Sequence, residues 1–419
     1  MKLILGVFIL ASVVLLPEIK LSGSLPTIQF VDILFPFIIL ILFIERKLLE
    51  LSRFYFIGVL FLLYIVFTII YNERQGVFRD YFELYKLFKW LTIVLFFSTI
   101  ERGSFLNFHV KSIFVLVVVL NLFHYFNWFN FNWVIENYYG GGEHIKDFGL
   151  NSAGLPTYKR LLGLTGNPNV NSSMFAFFSI LFYPSKHKKW QETIWFIIAL
   201  FMMFLCQSRS ALLSMLIVLL FSLFYKREEF KYQLRIIPIG IGVYLLSMFF
   251  TWIVSPQPPA FISDTVTLVQ KKSFFKANSY SNSLFTQKIN SHASMAGREE
   301  VWKQLWEMIK EKPFFGHAPN KEYFYNNNLH AENEYVLQTW RYGFVGLFIF
   351  ICLVLTPTIM ALKKSKREYT SKMIQLTLFY MIFSLTNAPF SNRITIILFA
   401  IMIGVFFNNT KKELQITNS

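Results

Sequence analysis

The chain has 419 residues, of which 55% are hydrophobic, 15% charged and 50 are Phe; at a mean hydropathy of +0.47 it is too apolar for a soluble globular protein of this length. Lys and Arg number 40 against 24 Asp and Glu, a formal net charge of +16, which in a membrane-embedded chain points to membrane lipid and not to nucleic acid as the partner. The two cysteines, Cys206 and Cys352, lie in apolar runs, which excludes a disulfide framework, a thiolate zinc site and redox chemistry.

In chain order, the first apolar run ends at Leu16 and leads into Pro17-Glu18-Ile19-Lys20 without an Ala-x-Ala cleavage pattern, so it reads as a retained first span and not as a signal peptide. Apolar windows then fall near 27–44, 54–71, 84–100, 108–126, 168–184, 190–206, 209–225, 234–254, 335–361, 371–388 and 392–408. The expectation is an all-α integral membrane protein of about twelve transmembrane helices. Alternate loops carry the basic residues: Arg46, Lys47 and Arg53; Arg102 and Lys111; Lys186, Lys188 and Lys189; Lys226, Arg227, Lys231 and Arg235; Lys363 to Lys372; and Lys411 and Lys412 in the tail. By the positive-inside rule both termini are cytoplasmic. Membrane helices one to nine then occupy 1–254, a large extracytoplasmic loop 255–334, helices ten to twelve 335–408 and a cytoplasmic tail 409–419. Within that loop, 296–312 reads as an amphipathic helix with Val301, Trp302, Leu305, Trp306, Met308 and Ile309 on one side, suited to the outer membrane surface or to packing on neighbouring spans; Pro313 ends it.

Ionisable groups are costly at the bilayer centre, so the spans that keep them are informative. Here they gather on the outer side: Asp80, Glu83, Lys86 and Lys89 open span four, Ser208-Arg209-Ser210 opens span eight, and Asn392-Arg393 opens span twelve. In span ten, His330, Glu334, Gln338 and Arg341 follow at steps of four, four and three, one helical face. For any one of these residues a salt-bridged helix end is the commoner role. As a set, cations on the non-cytoplasmic side suit an anionic ligand such as a diphosphate, which Arg can hold bidentately. No Asp, Glu or His series crosses the span centres as in a proton relay, no Walker-type loop is present, and no Asp-x-Asp pair marks a metal, so neither metal nor cofactor is expected. Asp32 and His124 read as structural.

Three passages resemble the O-antigen polymerase and O-antigen ligase family of bacterial membrane glycosyltransferases. They are Arg160-Leu-Leu-Gly-Leu-Thr-Gly-Asn-Pro-Asn169; Gln207-Ser-Arg209-Ser-Ala-Leu-Leu; and Gly297-Arg298-Glu-Glu-Val-Trp302 with Lys312-Pro-Phe-Phe-Gly316, His330-Ala-Glu-Asn-Glu-Tyr335 and Gly343-Phe-Val-Gly346. The resemblance implies a GT-C-like helical fold acting on glycans carried by undecaprenyl diphosphate at the outer face of the cytoplasmic membrane, without nucleotide sugar or required metal. It further implies that Arg209 and Arg298 bind the leaving diphosphate. The family's His-Asn-x-Tyr passage falls here on Glu332, Asn333 and Tyr335, with His330 displaced by two, so the general base is Glu332 by register or His330 by residue type. Arg160, Lys86, Lys89 and Arg341 are expected to support the diphosphate electrostatically.

The activity expected is a polymerase for O-antigen, capsule or exopolysaccharide, moving the growing glycan from its lipid diphosphate onto the next lipid-linked repeat unit, with a chain-length regulator as a candidate partner. A ligase moving finished glycan to lipid A core is the nearest alternative. A flippase or exporter of lipid-linked glycan is the non-enzyme alternative, which would want charges through the middle of the spans. A membrane scaffold without chemistry is the bland one.

Overall fold

The computed structural model describes residues 1–19, 28–45, 53–100, 105–139, 160–184, 190–225, 230–254, 295–327, 331–362 and 368–417. Among these the chain is helical, with one isolated antiparallel bridge between Ile19 and Ile28. The helices used below are α1 (Lys2–Leu15), α2 (Phe30–Ile44), α3 (Arg53–Tyr71), α4 (Tyr81–Phe97), α5 (Val110–Phe126), α6 (Phe131–Tyr138), α7 (Pro168–Leu181), α8 (Trp190–Leu205), α9 (Arg209–Tyr225), α10 (Phe230–Val254), α11 (Met295–Glu311), α12 (Lys321–Asn326), α13 (Glu334–Leu362), α14 (Glu368–Phe383) and α15 (Arg393–Thr417).

Each of the twelve apolar windows falls on a helix. Among the described residues, α3 and α13 are long and apolar enough to cross a membrane by length and composition; α5 with the segment ending in α6, bent by 106°, would make a third as a broken span. The bend is built by left-handed backbone at Asn127, Phe129 and Asn130. Several others are shorter apolar helices; at 1.5 Å per residue, the 14 residues of α1 reach about 21 Å against a hydrocarbon core of about 30 Å.

Two helices are buried around most of their circumference. From Lys89 to Phe97, α4 is enclosed by α15, α3 and α2; α7 is buried from Asn171 to Leu181 against α8, α15, α9 and α14. A helix apolar on all sides has no solvent face to present, and these two form the centre on which the others pack. Their starts are set locally. Asn167 caps α7 by accepting from the amides of Asn169 and Val170, with Pro168 at the first helical position. Gln29 and Asp32 form a capping box at α2.

The amphipathic helix α11 packs on α13. Val301, Leu305 and Ile309 are buried there with Leu337 and Trp340, whereas Trp306 is exposed. Of the two placements open to the sequence, it is the packed one that buries this face. Beyond Pro313, the segment 312–317 fills a break in α13. Gly343 holds a φ of 65° there, which frees the amides of Phe344 and Val345 to donate to the carbonyls of Pro313 (2.8 Å) and Phe314 (3.4 Å). The Tyr64 hydroxyl donates to Tyr342 O (2.8 Å) and Phe314 O (3.1 Å), and the His317 amide to Trp340 O (3.0 Å). A Cβ on Gly343 would press into the Phe314 carbonyl, and one on Gly316, also at positive φ, would stand 2.5 Å from Arg341 O. Lys-Pro-Phe-Phe-Gly and Gly-x-x-Gly are thus two sides of one packing joint.

Candidate functional site

The second and third sequence passages meet at the turn between α14 and α15, and the first is fastened to the second. Arg160 donates from Nε to Cys206 O (3.1 Å) and from Nη2 to Gln207 O (3.3 Å), the carbonyl end of α8. A cation at that end is favoured by the helix dipole. The Leu161 amide donates to Leu205 O (3.0 Å), and Asn171 Nδ2 ties Leu161 O (3.3 Å) to Asn121 Oδ1 (3.0 Å). The first passage is therefore fastened to the α8–α9 corner that carries the second.

At that corner Ser208 is buried and Arg209 is exposed, the first residue of α9. Among the described residues the Arg209 guanidinium has neither an ion pair nor a hydrogen bond. Ser210 Oγ accepts from Asn387 Nδ2 (2.7 Å), and Asn387 O in turn accepts from the Glu334 amide (3.1 Å). Through Asn387, the start of α9 is joined to the start of α13, where the third passage lies.

The third passage has a framework and one candidate for chemistry. Asn333 Oδ1 caps α13, accepting from the amides of Tyr335 (3.0 Å) and Val336 (3.1 Å), while its Nδ2 donates to Leu385 O (2.9 Å). Tyr335 donates to Met381 O (2.7 Å). Glu334 is fully buried and its carboxylate accepts from Gln338 Nε2 (2.8 Å), Ser391 Oγ (2.8 Å) and the amides of Phe390 (2.9 Å) and Ser391 (3.0 Å). Glu334 therefore braces the α14–α15 turn. Glu332 is left at the edge of this frame, half-buried and in left-handed backbone at φ 42°. Trp302 Nε1 donates to Ala331 O just before it. Arg298 falls in the first turn of α11 with its side chain outside the described part, and His330 lies outside the described residues.

Arg341, Lys86 and Lys89 stand elsewhere. The helical face expected in span ten is present from Glu334 to Gln338, but Arg341 pairs across to α4, at 3.7 Å from Glu83 Oε1. Glu83 also takes Lys86 on Oε2 (2.6 Å) and Lys321 on Oε1 (2.9 Å). Next to it, buried Asp80 pairs with Arg74 Nε (2.5 Å) and accepts from the Lys321 amide (3.1 Å). Lys89 is bonded instead to Asp32 Oδ1 (2.6 Å), which also accepts from Tyr85 OH (2.8 Å). Lys321 and Asn387 were not singled out from the sequence. Asn387-Ala-Pro389 is a turn signal inside an apolar window, whereas nothing local marks Lys321.

Among the described residues no group of three His, Cys, Asp or Glu is placed to hold a metal ion. No curated protein matches the chain significantly. Residues 194–351, from α8 into α13, match the family described as O-Antigen ligase, a stretch that holds Arg209, Arg298, His330, Glu332 and Arg341 and leaves out Arg160, Lys86 and Lys89. The match, which spans less than half of the chain, supports the resemblance to the O-antigen polymerase and ligase family carried by the three passages.

Proposed function

We propose that the protein is a polysaccharide polymerase of the cytoplasmic membrane, about twelve spans with both termini cytoplasmic and its site at the outer face. It transfers a growing glycan from undecaprenyl diphosphate to the next lipid-linked repeat unit. The observation that carries this reading is the exposed Arg209, without an ion pair or hydrogen bond among the described residues and held through Ser210 and Asn387 against the start of α13, two residues from Glu332.

In the reaction a sugar hydroxyl of the acceptor attacks the anomeric carbon of the donor. The bond from that carbon to the phosphate oxygen breaks, and the diphosphate leaves with the electron pair. Charge grows on the departing phosphates, so a cation without an internal partner stabilises the transition state more than one already neutralised. Arg209 meets that description, and Arg298 joins it on the family resemblance. Glu332 or His330 takes the hydroxyl proton or orients the acceptor. Arg160, with donors committed to carbonyls, holds the corner that presents Arg209, and Lys86, Lys89 and Arg341 add positive potential.

The family description favours one second reading, a ligase that transfers the finished glycan to another lipid acceptor. The same groups would serve it. Arg209→Ala and Arg298→Ala should each abolish the glycan ladder while the protein stays in the membrane fraction; ladders of normal length from both variants would overturn the site.

A further inference from the structure

Two kinds of contact fasten α11 to the stretch that carries the candidate bases. The first is an apolar seam: Val301, Leu305 and Ile309, at steps of four, are buried in one cluster with Ala331, Leu337 and Trp340. Apolar packing has no direction, so a seam of this kind does not by itself fix how far α11 sits along its partner. The second kind is polar and does fix it. Near the C-terminal end of α11, His317 Nε2 donates to Met308 O (2.8 Å) and the His317 amide to Trp340 O (3.0 Å). In the N-terminal half, the indole Nε1 of half-buried Trp302 donates to Ala331 O, 29 positions away. Packing uses the Trp302 ring; the N–H is spent on this one directed bond.

The bond ends beside the candidate bases. Ala331 stands between His330 and Glu332, and its carbonyl lies in the same rigid peptide plane as the Glu332 amide. Glu332 has a φ of 42°, a left-handed conformation that a residue with a Cβ keeps only where its surroundings hold it. Here they hold it from both sides. Asn333 is pinned by its bonds to the start of α13 and to Leu385 O, and Trp302 pins the plane that precedes Glu332. On α11, Arg298 comes four residues before Trp302, one turn away on the same side of the helix. One hydrogen bond thus joins the helix that carries an expected diphosphate ligand to the peptide beside the base.

We propose that Trp302 is a positioning residue for glycan transfer, its indole N–H setting the place of the base relative to Arg298. In the transferase reading, on which this role rests, the base takes the proton of the attacking hydroxyl while the cation meets the charge of the departing phosphate. Both events surround one anomeric carbon, so the separation of base and cation has to match the reacting geometry. Misplacement by about 1 Å can cost about a hundredfold in rate. Trp302 itself touches neither substrate; it acts through the residues it holds.

Two substitutions separate the N–H from the ring. Trp302→Phe keeps an aromatic ring and has no donor. Trp302→His keeps a five-membered ring whose Nε2–H can stand where the indole N–H stood, and gives up the second ring that packs. If Trp302 only packs, Phe is the better replacement in both stability and activity. If it positions the base, Phe is the more stable and His the more active. The test is chain growth by the full-length protein in phosphatidylcholine nanodiscs, with lipid-linked polymer and single lipid-linked units varied separately, beside the thermal midpoint of each variant. Trp302→Phe should lower kcat about tenfold, the worth of one hydrogen bond, with both KM values within about twofold of wild type. Trp302→His should hold kcat within about threefold of wild type at a lower midpoint than Trp302→Phe. Activity that follows the midpoint, or failure of Trp302→Phe to accumulate in the membrane, would overturn the role and make Trp302 structural. A rise in either KM at unchanged kcat would overturn it too, making the ring a sugar-binding surface.

Hydrogen exchange reads the same bond without turnover. Deuterium uptake over 331–336 should be about tenfold faster in Trp302→Phe than in wild type and close to wild type in Trp302→His; wild-type uptake in Trp302→Phe would overturn the role. Absence of chain growth with the wild-type protein would sink the polymerase reading, while exchange still decides whether Trp302 fixes the peptide between Ala331 and Glu332.

Discussion

Glu334 carries a negative charge beside the candidate base, yet its bonds assign it to the framework, and the difference can be measured. Its carboxylate accepts four hydrogen bonds, two of them from the amides of Phe390 and Ser391 in the turn that starts α15. Glu334→Ala leaves both amides buried without an acceptor at about 1–3 kcal/mol each, while the Ser391 hydroxyl and the Gln338 amide can turn elsewhere. A total of about 4 kcal/mol should lower the thermal midpoint of the purified protein by about 5 to 10 °C. Glu334→Gln keeps an oxygen for the two amides and a donor for Ser391 Oγ. It loses mainly the charge assistance, about 1 kcal/mol, or about 2 °C. Tryptophan-fluorescence melting in detergent, paired with a glycan gel from cells carrying each variant, should show Ala unstable and Gln stable with a full ladder. A wild-type midpoint for Glu334→Ala would refute the bracing role. A stable Glu334→Gln without polymer would move Glu334 into the chemistry.

Other substitutions test the remaining joints. Glu332→Gln, which keeps the shape of this half-buried side chain, should remove polymer while lowering the midpoint by no more than about 2 °C; an unchanged ladder would leave His330 as the base. Gly343→Ala should cost more than about 2 kcal/mol, because the residue sits at φ 65° and a Cβ meets the Phe314 carbonyl, and limited proteolysis should then cut faster near 312–317. Tyr64→Phe removes the hydroxyl that donates to Phe314 O and Tyr342 O and should weaken the same joint by about 1–2 kcal/mol; unchanged proteolysis in both would contradict the joint. Asn387→Ala unlinks Ser210 from the start of α13 and should shorten the ladder more than it lowers the midpoint. A normal ladder would show that Arg209 needs no such tether.

The helical elements were legible because apolar windows and their punctuation are local: Asn167-Pro168 announces α7 and Pro313 closes α11. The bond from Gln338 to Glu334 was legible too, since a step of four on a helix brings side chains together. The partner of Arg341 was not, because Glu83 lies on another helix more than 250 positions away and no periodicity encodes that pairing. Lys321 escaped notice for the same reason, as a lone cation in a loop until α12 brings it to Asp80 and Glu83. Span eleven was drawn too long because Asn387-Ala-Pro389 sits in apolar surroundings, although the helix stops at Phe383 to form the turn that Glu334 braces. Gly343 opens α13 for the segment 312–317, a pairing with residues about thirty positions away that its own neighbours in sequence do not announce.

The central claim, that this chain lengthens a glycan on its lipid carrier, is tested most directly by separating lipid-linked from finished glycan in cells lacking the gene and in the same cells given it back. The account predicts single repeat units on undecaprenyl diphosphate without the gene and a ladder restored by the wild type but not by Arg209→Ala. Long polymer stranded on the lipid carrier would contradict it in favour of a ligase, and repeat units trapped on the cytoplasmic side would contradict it in favour of a transporter.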